Sequence, residues 1–334
     1  MKFSLFKYGT GILYGWTTVF DTLDPLRGPS PGGNAFTIAG SGLDPRSWDD
    51  LFMAPVLDPK WLNISAGSGF VTTGPFHLQM ETGVVSGSVS GVESVYAWGD
   101  TQGEIRLILP PLPGYPTYPA VVIVSALTLY VDANNYAEMR LELGSAGALQ
   151  LRCDVYVGGS LVDELVKPFS WTTGLAMLKI LRWRDEVLFI ANGEVIFDSV
   201  RFILDAAKFR IWMSNPGTVY NLQGVRIEWF YFRPFAVWQE QPIHDTVVVS
   251  DTRMRGVIPP SRDERRKDAA YQGLVNVYVV GASGTLGKKD IYEYYYINGL
   301  KLLNSAQTDI RLSVIDDDQL VTPTGEQKGL GGGY

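Results

Sequence analysis

Cysteine is almost missing from this chain. Cys153 is the only one in 334 residues, which excludes an intramolecular disulfide and any thiolate metal cluster. Histidine is nearly as scarce. His77 and His244 are too few and too isolated for a histidine metal triad or a nucleophilic triad. Positive charge is short as well: 28 Lys and Arg against 35 Asp and Glu leave a net charge of −7, so nothing in the bulk electrostatics attracts nucleic acid. No stretch approaches the roughly 18 consecutive apolar residues of a membrane span. The start, Met1-Lys2-Phe3-Ser4-Leu5-Phe6-Lys7-Tyr8-Gly9, lacks the apolar core and small-residue cleavage site of a secretory signal, so export by the general route is not expected. No phosphate-cradling Gly-x-x-x-x-Gly-Lys loop and no fixed-period repeat is found. No cofactor is expected.

Strands and turns are what the chain has in quantity. A hydrophobic fraction of 46% with 19% charged residues is globular. The 36 Gly, 19 Pro, nine Trp and 17 Tyr suit a turn-rich β protein. Between about Val121 and Phe232 the hydrophobic period is two. In Tyr136–Leu143, Ala137, Met139, Leu141 and Leu143 share one face, with Tyr136, Glu138, Arg140 and Glu142 on the other. Leu149–Val157 repeats the alternation and puts Cys153 on its apolar face, where a small buried hydrophobe is expected. Successive strand side chains point to opposite sides, so each such strand has one buried face and one wetted face. Further runs are Lys179–Arg184, Val187–Ile190, Val195–Phe197, Phe209–Met213 and Val225–Phe232, with Asn192-Gly193 as a hairpin turn. The expected fold class is all-β: an antiparallel β-sandwich with an extended N-terminal arm and a small β-rich C-terminal region.

Three regions are expected. Residues 1–47 are glycine- and proline-punctuated and read as an irregular N-terminal segment or arm. Residues 48–241 hold the sandwich. Residues 242–334 form a β-rich C-terminal region with a flexible tail, after a mixed-charge window at Pro259–Asp268 that reads as a solvated linker or surface helix. Within it, Leu274–Val280 and Ile310–Ile315 read as strands, and Tyr292–Gly299 as a hairpin.

Two resemblances rest on particular residues. Tyr130–Leu141, with its Asp132-Ala133-Asn134-Asn135 turn, resembles the strand–turn–strand of the concanavalin A-like (laminin-G-like) jelly-roll superfamily. Leu181-Arg182-Trp183-Arg184 through Asn192-Gly193-Glu194 is similar to that superfamily's arginine strand and Asn-Gly hairpin, and Trp229–Phe232 to its closing strand. The likeness spans roughly residues 48–240 and implies a jelly roll. The opening Phe3–Gly15 resembles the short N-terminal signature of tailed-bacteriophage virion proteins, over about 15 residues. It implies a virion component, made in the host cytoplasm, whose partners are other virion proteins and copies of itself.

Glycoside hydrolases on the jelly-roll fold carry a Glu-x-Asp-x-x-Glu or similar strand, whose alternation aims carboxylates into one cleft. The nearest candidates are Glu138 with Glu142, and Asp163-Glu164. Glu138 and Glu142 alternate with Arg140 and no third carboxylate follows, so a solvated face held by cross-strand ion pairs is the expectation. No catalytic residue is assigned. Asp132, Asn134 and Asn135 are weak Ca²⁺ candidates, below the usual six to eight oxygens, and fit a simple Asx turn. Asp316-Asp317-Asp318 reads as a solvated turn. Trp98, Trp171, Trp212 and Tyr220 are the candidates for stacking on sugar rings, with core filling as the alternative for each. Phe3, Phe6, Tyr8 and Tyr14 are the candidate assembly contacts, since an extended segment can add a strand to a neighbour's sheet edge. The leading expectation is a non-enzymatic structural component of a phage particle. Recognition of host-surface glycans is the alternative, and glycan cleavage ranks third.

Overall fold

The structure, a computed structural model, describes residues 4–8, 11–15, 18–44, 49–83, 85–108, 122–143, 148–169, 175–215, 225–261, 273–281, 284–295, 313–316, 319–321 and 327–329. Every regular element among them is a strand. The first five are β1 (Ser4–Tyr8), β2 (Gly11–Gly15), β3 (Val19–Asp24), β4 (Arg27–Pro29) and β5 (Ala35–Ser41). Next come β6 (Trp61–Asn63), β7 (Phe70–Gly74), β8 (His77–Glu81), β9 (Ser88–Ser94), β10 (Thr101–Ile108), β11 (Val122–Asp132) and β12 (Asn135–Leu143). Then follow β13 (Leu149–Val157), β14 (Ser160–Pro168), β15 (Leu175–Trp183), β16 (Glu186–Ala191), β17 (Glu194–Ser199), β18 (Lys208–Asn215) and β19 (Val225–Phe232). The remainder are β20 (Phe235–Trp238), β21 (Gln241–Ile243), β22 (Val247–Ser250), β23 (Arg253–Val257), β24 (Gly273–Gly281), β25 (Gly284–Tyr295), β26 (Ser313–Asp316), β27 (Gln319–Val321) and β28 (Gln327–Gly329).

Strands β6 to β19 build the sandwich. One seven-stranded sheet runs β17-β16-β15-β10-β19-β8-β7 and the other β14-β13-β12-β11-β18-β9-β6, all pairs antiparallel. Together they form an antiparallel jelly-roll β-sandwich. The alternation seen in sequence sets the core: Ala137, Met139, Leu141, Leu151, Cys153 and Val155 from one sheet face Ile105, Leu107, Leu178, Ile180, Phe230 and Phe232 from the other. Hairpin chemistry supports the register. Asn192 and Gly193 both have positive φ, 51° and 88°, as a type I′ turn demands. Arg182 is buried, yet its three nitrogens donate to the carbonyls of Arg184, Asp205 and Ile203 at 2.9, 2.7 and 2.7 Å. The arginine of the strand that resembles the jelly-roll superfamily therefore pins a loop, and burial lowers its pKa.

The N-terminal segment departs from expectation. Residues 19–41 are not irregular: β3 and β5 pair with each other and β5 with β23, while β4 runs parallel beside β25. These strands and the C-terminal ones form a four-stranded sheet, β22-β23-β5-β3, and a five-stranded sheet, β21-β20-β24-β25-β4. Their shared core contains Phe36, Ile38, Trp238, Met254, Tyr292 and Tyr294. The reason is burial. Aromatic rings of 150–250 Å² contribute roughly 4–6 kcal/mol each, before entropy, when removed from water, and Phe36 and Trp238 meet at 4.9 Å between ring centroids. Tyr292 lies in the long strand β25, which pairs with β24. The remainder of the hairpin expected at Tyr292–Gly299, from Tyr296 on, and the charged window from 262 onward lie outside the described residues.

The two β units share a third apolar cluster. Leu181, Trp183, Leu188 and Ile190, on the outer face of the first sheet, pack against Phe235, Val237 and Val280. Trp183 and Tyr278 are 5.3 Å apart, and Thr285 Oγ1 donates to Asp100 Oδ2 at 2.9 Å. One flank of the first sheet is thereby covered, while the second sheet turns its outer face the other way.

Candidate functional site

Register decides what the outer face of the second sheet presents. Across β14, β13, β12, β11, β18 and β9, one line reads Glu164, Asp154, Glu138, Thr128, Arg210 and Glu93. The neighbouring line reads Val166, Arg152, Arg140, Ala126, Trp212 and Gly91. On its far side stand Gln150 and Glu142. On the near side of the first line, Tyr156, Tyr136, Tyr130 and Lys208 follow one another over four strands. These positions alternate with core residues, so their side chains share one face. Gly91 has a specific place here: a Cβ on it would lie 2.5 Å from the Ile211 carbonyl oxygen and 2.6 Å from Trp212 Cβ, so the missing side chain lets β9 and β18 pair closely at Trp212.

Arg140 is the hub of this face. Its Nη1 meets Glu138 Oε1 at 2.8 Å, its Nε meets Glu142 Oε2 at 2.8 Å, and its Nη2 meets Asp154 Oδ2 at 3.1 Å. Arg152 extends the network to Asp154 at 2.9 Å and Glu164 at 2.7 Å. Glu138 is held from the other side as well, by Thr128 Oγ1 at 2.9 Å and by the Trp212 indole N–H at 3.0 Å. Gln150 donates to Glu142. One strand further, Lys208 and Arg210 share Glu93 at 2.8 and 2.5 Å, and the Arg210 guanidinium lies 3.5 Å over the Tyr130 ring. Tyr136 and Tyr156 stack at 4.6 Å.

The expectation of a solvated face is corrected here. The Glu138, Glu142 and Asp154 side chains are only 3%, 1% and 1% exposed, and Arg140 16%. Burial raises the Asp154 pKa, against Arg140 and Arg152, which pull it down. Burial alone would lower Arg140, but its carboxylate partners outweigh that and hold it above its ordinary value. Glu93 is pushed up by burial and pulled further down by Lys208 and Arg210, ending below the usual carboxylate range. Burial is also the first cause of the raised Tyr136 pKa, followed by Tyr156 and Glu138.

The sequence candidates fall in different places. Trp212 lies on this face, bonded to Glu138. Trp98 instead packs toward the sandwich core, 5.6 Å from Phe209 and 5.5 Å from Phe232. Trp171 and Tyr220 lie outside the described residues. Glu138 and Glu142 do come together, through Arg140. Asp163 and Glu164 part, because neighbours on a strand face opposite ways: Asp163 accepts from Ser199 Oγ, while Glu164 joins Arg152. Asp132 accepts from the Asn134 backbone N–H at 2.7 Å and from Asn135 Nδ2, and Asn135 Oδ1 accepts from Gly158 N–H. These bonds define an Asx turn at the β11–β12 hairpin, and among the described residues no group of three or more His, Cys, Asp or Glu is placed to hold a metal ion. His77 lies in β8 and His244 in the turn that follows β21. Phe6, Tyr8 and Tyr14 belong to the β1–β2 hairpin, with Phe6 opposite Leu13 and Leu5 opposite Tyr14. Phe3, Asp317 and Asp318 lie outside the described residues. Among the described residues, no helix is long and apolar enough to cross a membrane.

Thr128, Glu93 and Arg210 were not singled out from sequence. Each sits at an outward position of its strand, which the period shows. Their meeting with β12 depends on strand order, which a single sequence does not carry.

No protein-family model matches the chain, and no curated protein matches it in sequence. Solved structures do share its architecture. A Bacillus licheniformis beta-glucanase is 11% identical over 56% of this chain and 97% of its own, with a TM-score of 0.42. A beta-1,3-1,4-glucanase (lichenase) from a mouse hindgut metagenome is 10% identical over 56% and 98%, with a TM-score of 0.43. Rv0315 of Mycobacterium tuberculosis, described as an immunostimulatory antigen and pseudo beta-1,3-glucanase, is 15% identical over 57% and 98%, with a TM-score of 0.41. At these values the likeness is one of fold. The expectation of a non-enzymatic structural component of a phage particle is corrected by these neighbours, which are glucanases or glucanase-like. The expectation that the chain is not an enzyme falls with it.

Proposed function

We propose that this chain is a carbohydrate-active protein that holds a glycan across the outer face of the second sheet, with Glu138, Glu142 and Trp212 at the centre. The observation that carries this reading is the cluster of three buried carboxylates around the Arg140 guanidinium. Buried ion pairs are weak contributors to stability, because desolvation offsets most of the Coulombic gain. A sheet face that needed only to be soluble would leave such groups in water, so their concentration points to a ligand. The ligand class follows from the groups themselves. Carboxylate oxygens, guanidinium and amide N–H groups complement an array of hydroxyls. Trp212 and the tyrosine line of β13, β12 and β11 offer flat apolar surface beside them. Because Glu138 and Glu142 accept from two nitrogens of one guanidinium, their nearest oxygens lie within about 8 Å of each other, a separation at which carboxylate pairs act on glycosidic bonds.

The test is to present the folded chain with a panel of soluble neutral and acidic polysaccharides and their oligosaccharides. Heat of binding and released reducing ends are both measured. The expected result is binding that weakens about tenfold in Trp212→Ala, equivalent to one aromatic contact. Any cleavage should disappear in both Glu138→Gln and Glu142→Gln. Neither heat nor reducing ends on any panel member would overturn the proposal.

A further inference from the structure

The first sheet carries an aromatic feature on its own outer face that neither core absorbs. Trp229, Tyr231 and Arg233 follow one another at every second residue along β19 and just past its end. Trp229 and Tyr231 stack at 4.1 Å with 15° between planes, and the Arg233 guanidinium lies 3.7 Å over the Tyr231 ring. The intervening Phe230 and Phe232 are buried in the sandwich core, while Trp229 and Tyr231 are half-buried.

A β-bulge puts Trp229 there. Strand β19 pairs Ile227 with Leu107 and Trp229 with Arg106, so Glu228 is an extra residue opposite no partner. In unbroken alternation Trp229 would point inward with Ile227. The extra residue shifts the phase and turns the indole out, a re-aiming that bulges produce beside functional sites. Arg106 Nε then pairs with Glu228 Oε2 at 2.9 Å and ties down the bulge. At the other end, Asp49 Oδ2 meets Arg233 Nη1 at 3.3 Å and its Oδ1 accepts from the Phe232 N–H at 3.1 Å, so the guanidinium is held over Tyr231. The unit built from β3–β5 and β20–β25 covers Leu181, Leu188 and Ile190 on the same sheet face but leaves the stack half open.

From this geometry we infer that the Trp229–Tyr231–Arg233 stack is a second binding site, for a neutral saccharide. The rings are ordered before any ligand arrives, so binding loses little side-chain freedom. Flat rings match the apolar face of a pyranose. Arg106 with Glu228, and Lys179 with Glu104 at 3.4 Å, flank the stack with donors and acceptors for hydroxyls. Every cation just named already has a carboxylate partner, and the chain as a whole is net negative. An anionic ligand, whether a charged glycan or a nucleic acid, therefore finds no unpaired cation among these flanking pairs. This inference does not rest on the glycan face of the second sheet, since the two faces belong to opposite sheets.

The experiment labels the full chain with 5-fluorotryptophan and titrates it with cellotetraose, laminaritetraose and, as the charged arm, tetragalacturonate, followed by ¹⁹F NMR. The Trp229 resonance is assigned through Trp229→Tyr and the Trp212 resonance through Trp212→Phe. A neutral tetrasaccharide is expected to shift the Trp229 resonance, in the parent and equally in Glu138→Gln. Trp229→Ala should weaken the neutral ligand's affinity for this site about tenfold and Trp229→Tyr far less, with the other fluorotryptophan resonances in place as proof of folding. A Trp229 resonance unmoved by millimolar neutral sugar would overturn the inference. So would a response confined to tetragalacturonate, or one abolished by Glu138→Gln. Movement at Trp229 without movement at Trp212 would separate this site from the one proposed on the second sheet.

Discussion

Replacing Asp49 with Asn should change how stability depends on pH, and the structure sets both sign and size. Asp49 lies where the chain crosses the end of β19, its side chain only 16% exposed. Burial pushes its pKa up from 3.8 to about 6, the largest influence on it. Arg233 and the Phe232 N–H oppose that rise, as does Lys60 more weakly, and Asp44 adds to it. Between those two pH values the native chain keeps a proton that the unfolded chain has released. Stabilisation from this group is therefore full below the unfolded value and is lost as pH rises through about 6. The gap is worth at most about 3 kcal/mol. Asparagine keeps an oxygen to accept from Phe232 N–H and cannot ionise. Urea midpoints for parent and variant, measured from about pH 4 to about pH 8 with slopes checked for equality, should diverge in the variant's favour as pH rises. The difference should level off above about pH 7. A difference that stays flat, or that favours the parent at high pH, would refute the account of Asp49 as a buried carboxylate under strain from desolvation.

Two further outcomes follow from the same physics. Arg140→Met leaves Glu138, Glu142 and Asp154 buried without their common partner, and should cost about 3–5 kcal/mol at neutral pH by chemical denaturation. The loss should shrink on acidification, because burial raises the Asp154 pKa and a protonated Asp154 is no longer an unpaired buried charge. Cys153 is fully buried, and burial first, then Asp154, raises its thiol pKa well above normal. A thiol reagent such as DTNB should leave the native chain untouched and label one equivalent once urea unfolds it.

Much of the sandwich could be read from residue order. The alternation of β12 and β13, the Asn192-Gly193 turn and the apolar face holding Cys153 all stand as the pattern implies, because period two is a local property of a strand. Residues 18–41 were legible only in part. Gly32 and Gly33 do mark a turn, but Gly28 and Pro29 lie within β4 and Gly40 within β5, and β3 and β5 are stabilised by strands more than 200 positions later, such as β23, a pairing that nothing local announces. Strict alternation from Ile227 would turn Trp229 inward, but an extra residue at Glu228 reverses the side of the positions that follow.

The candidate site divides along the same line. That Glu138, Arg140 and Glu142 share a face is dictated by sequence, and so is their chemistry. Whether that face is wet or buried is not. It is set by Asp154 and Arg152 arriving from β13, Thr128 from β11 and Trp212 from β18, neighbours that strand order alone supplies. Within each unbroken run of a strand, the sequence by itself determined which residues turn inward and which outward, because side-chain direction there depends only on counting. Tertiary structure decided which outward residues meet, because register and strand order are set by the burial of one whole sheet against another.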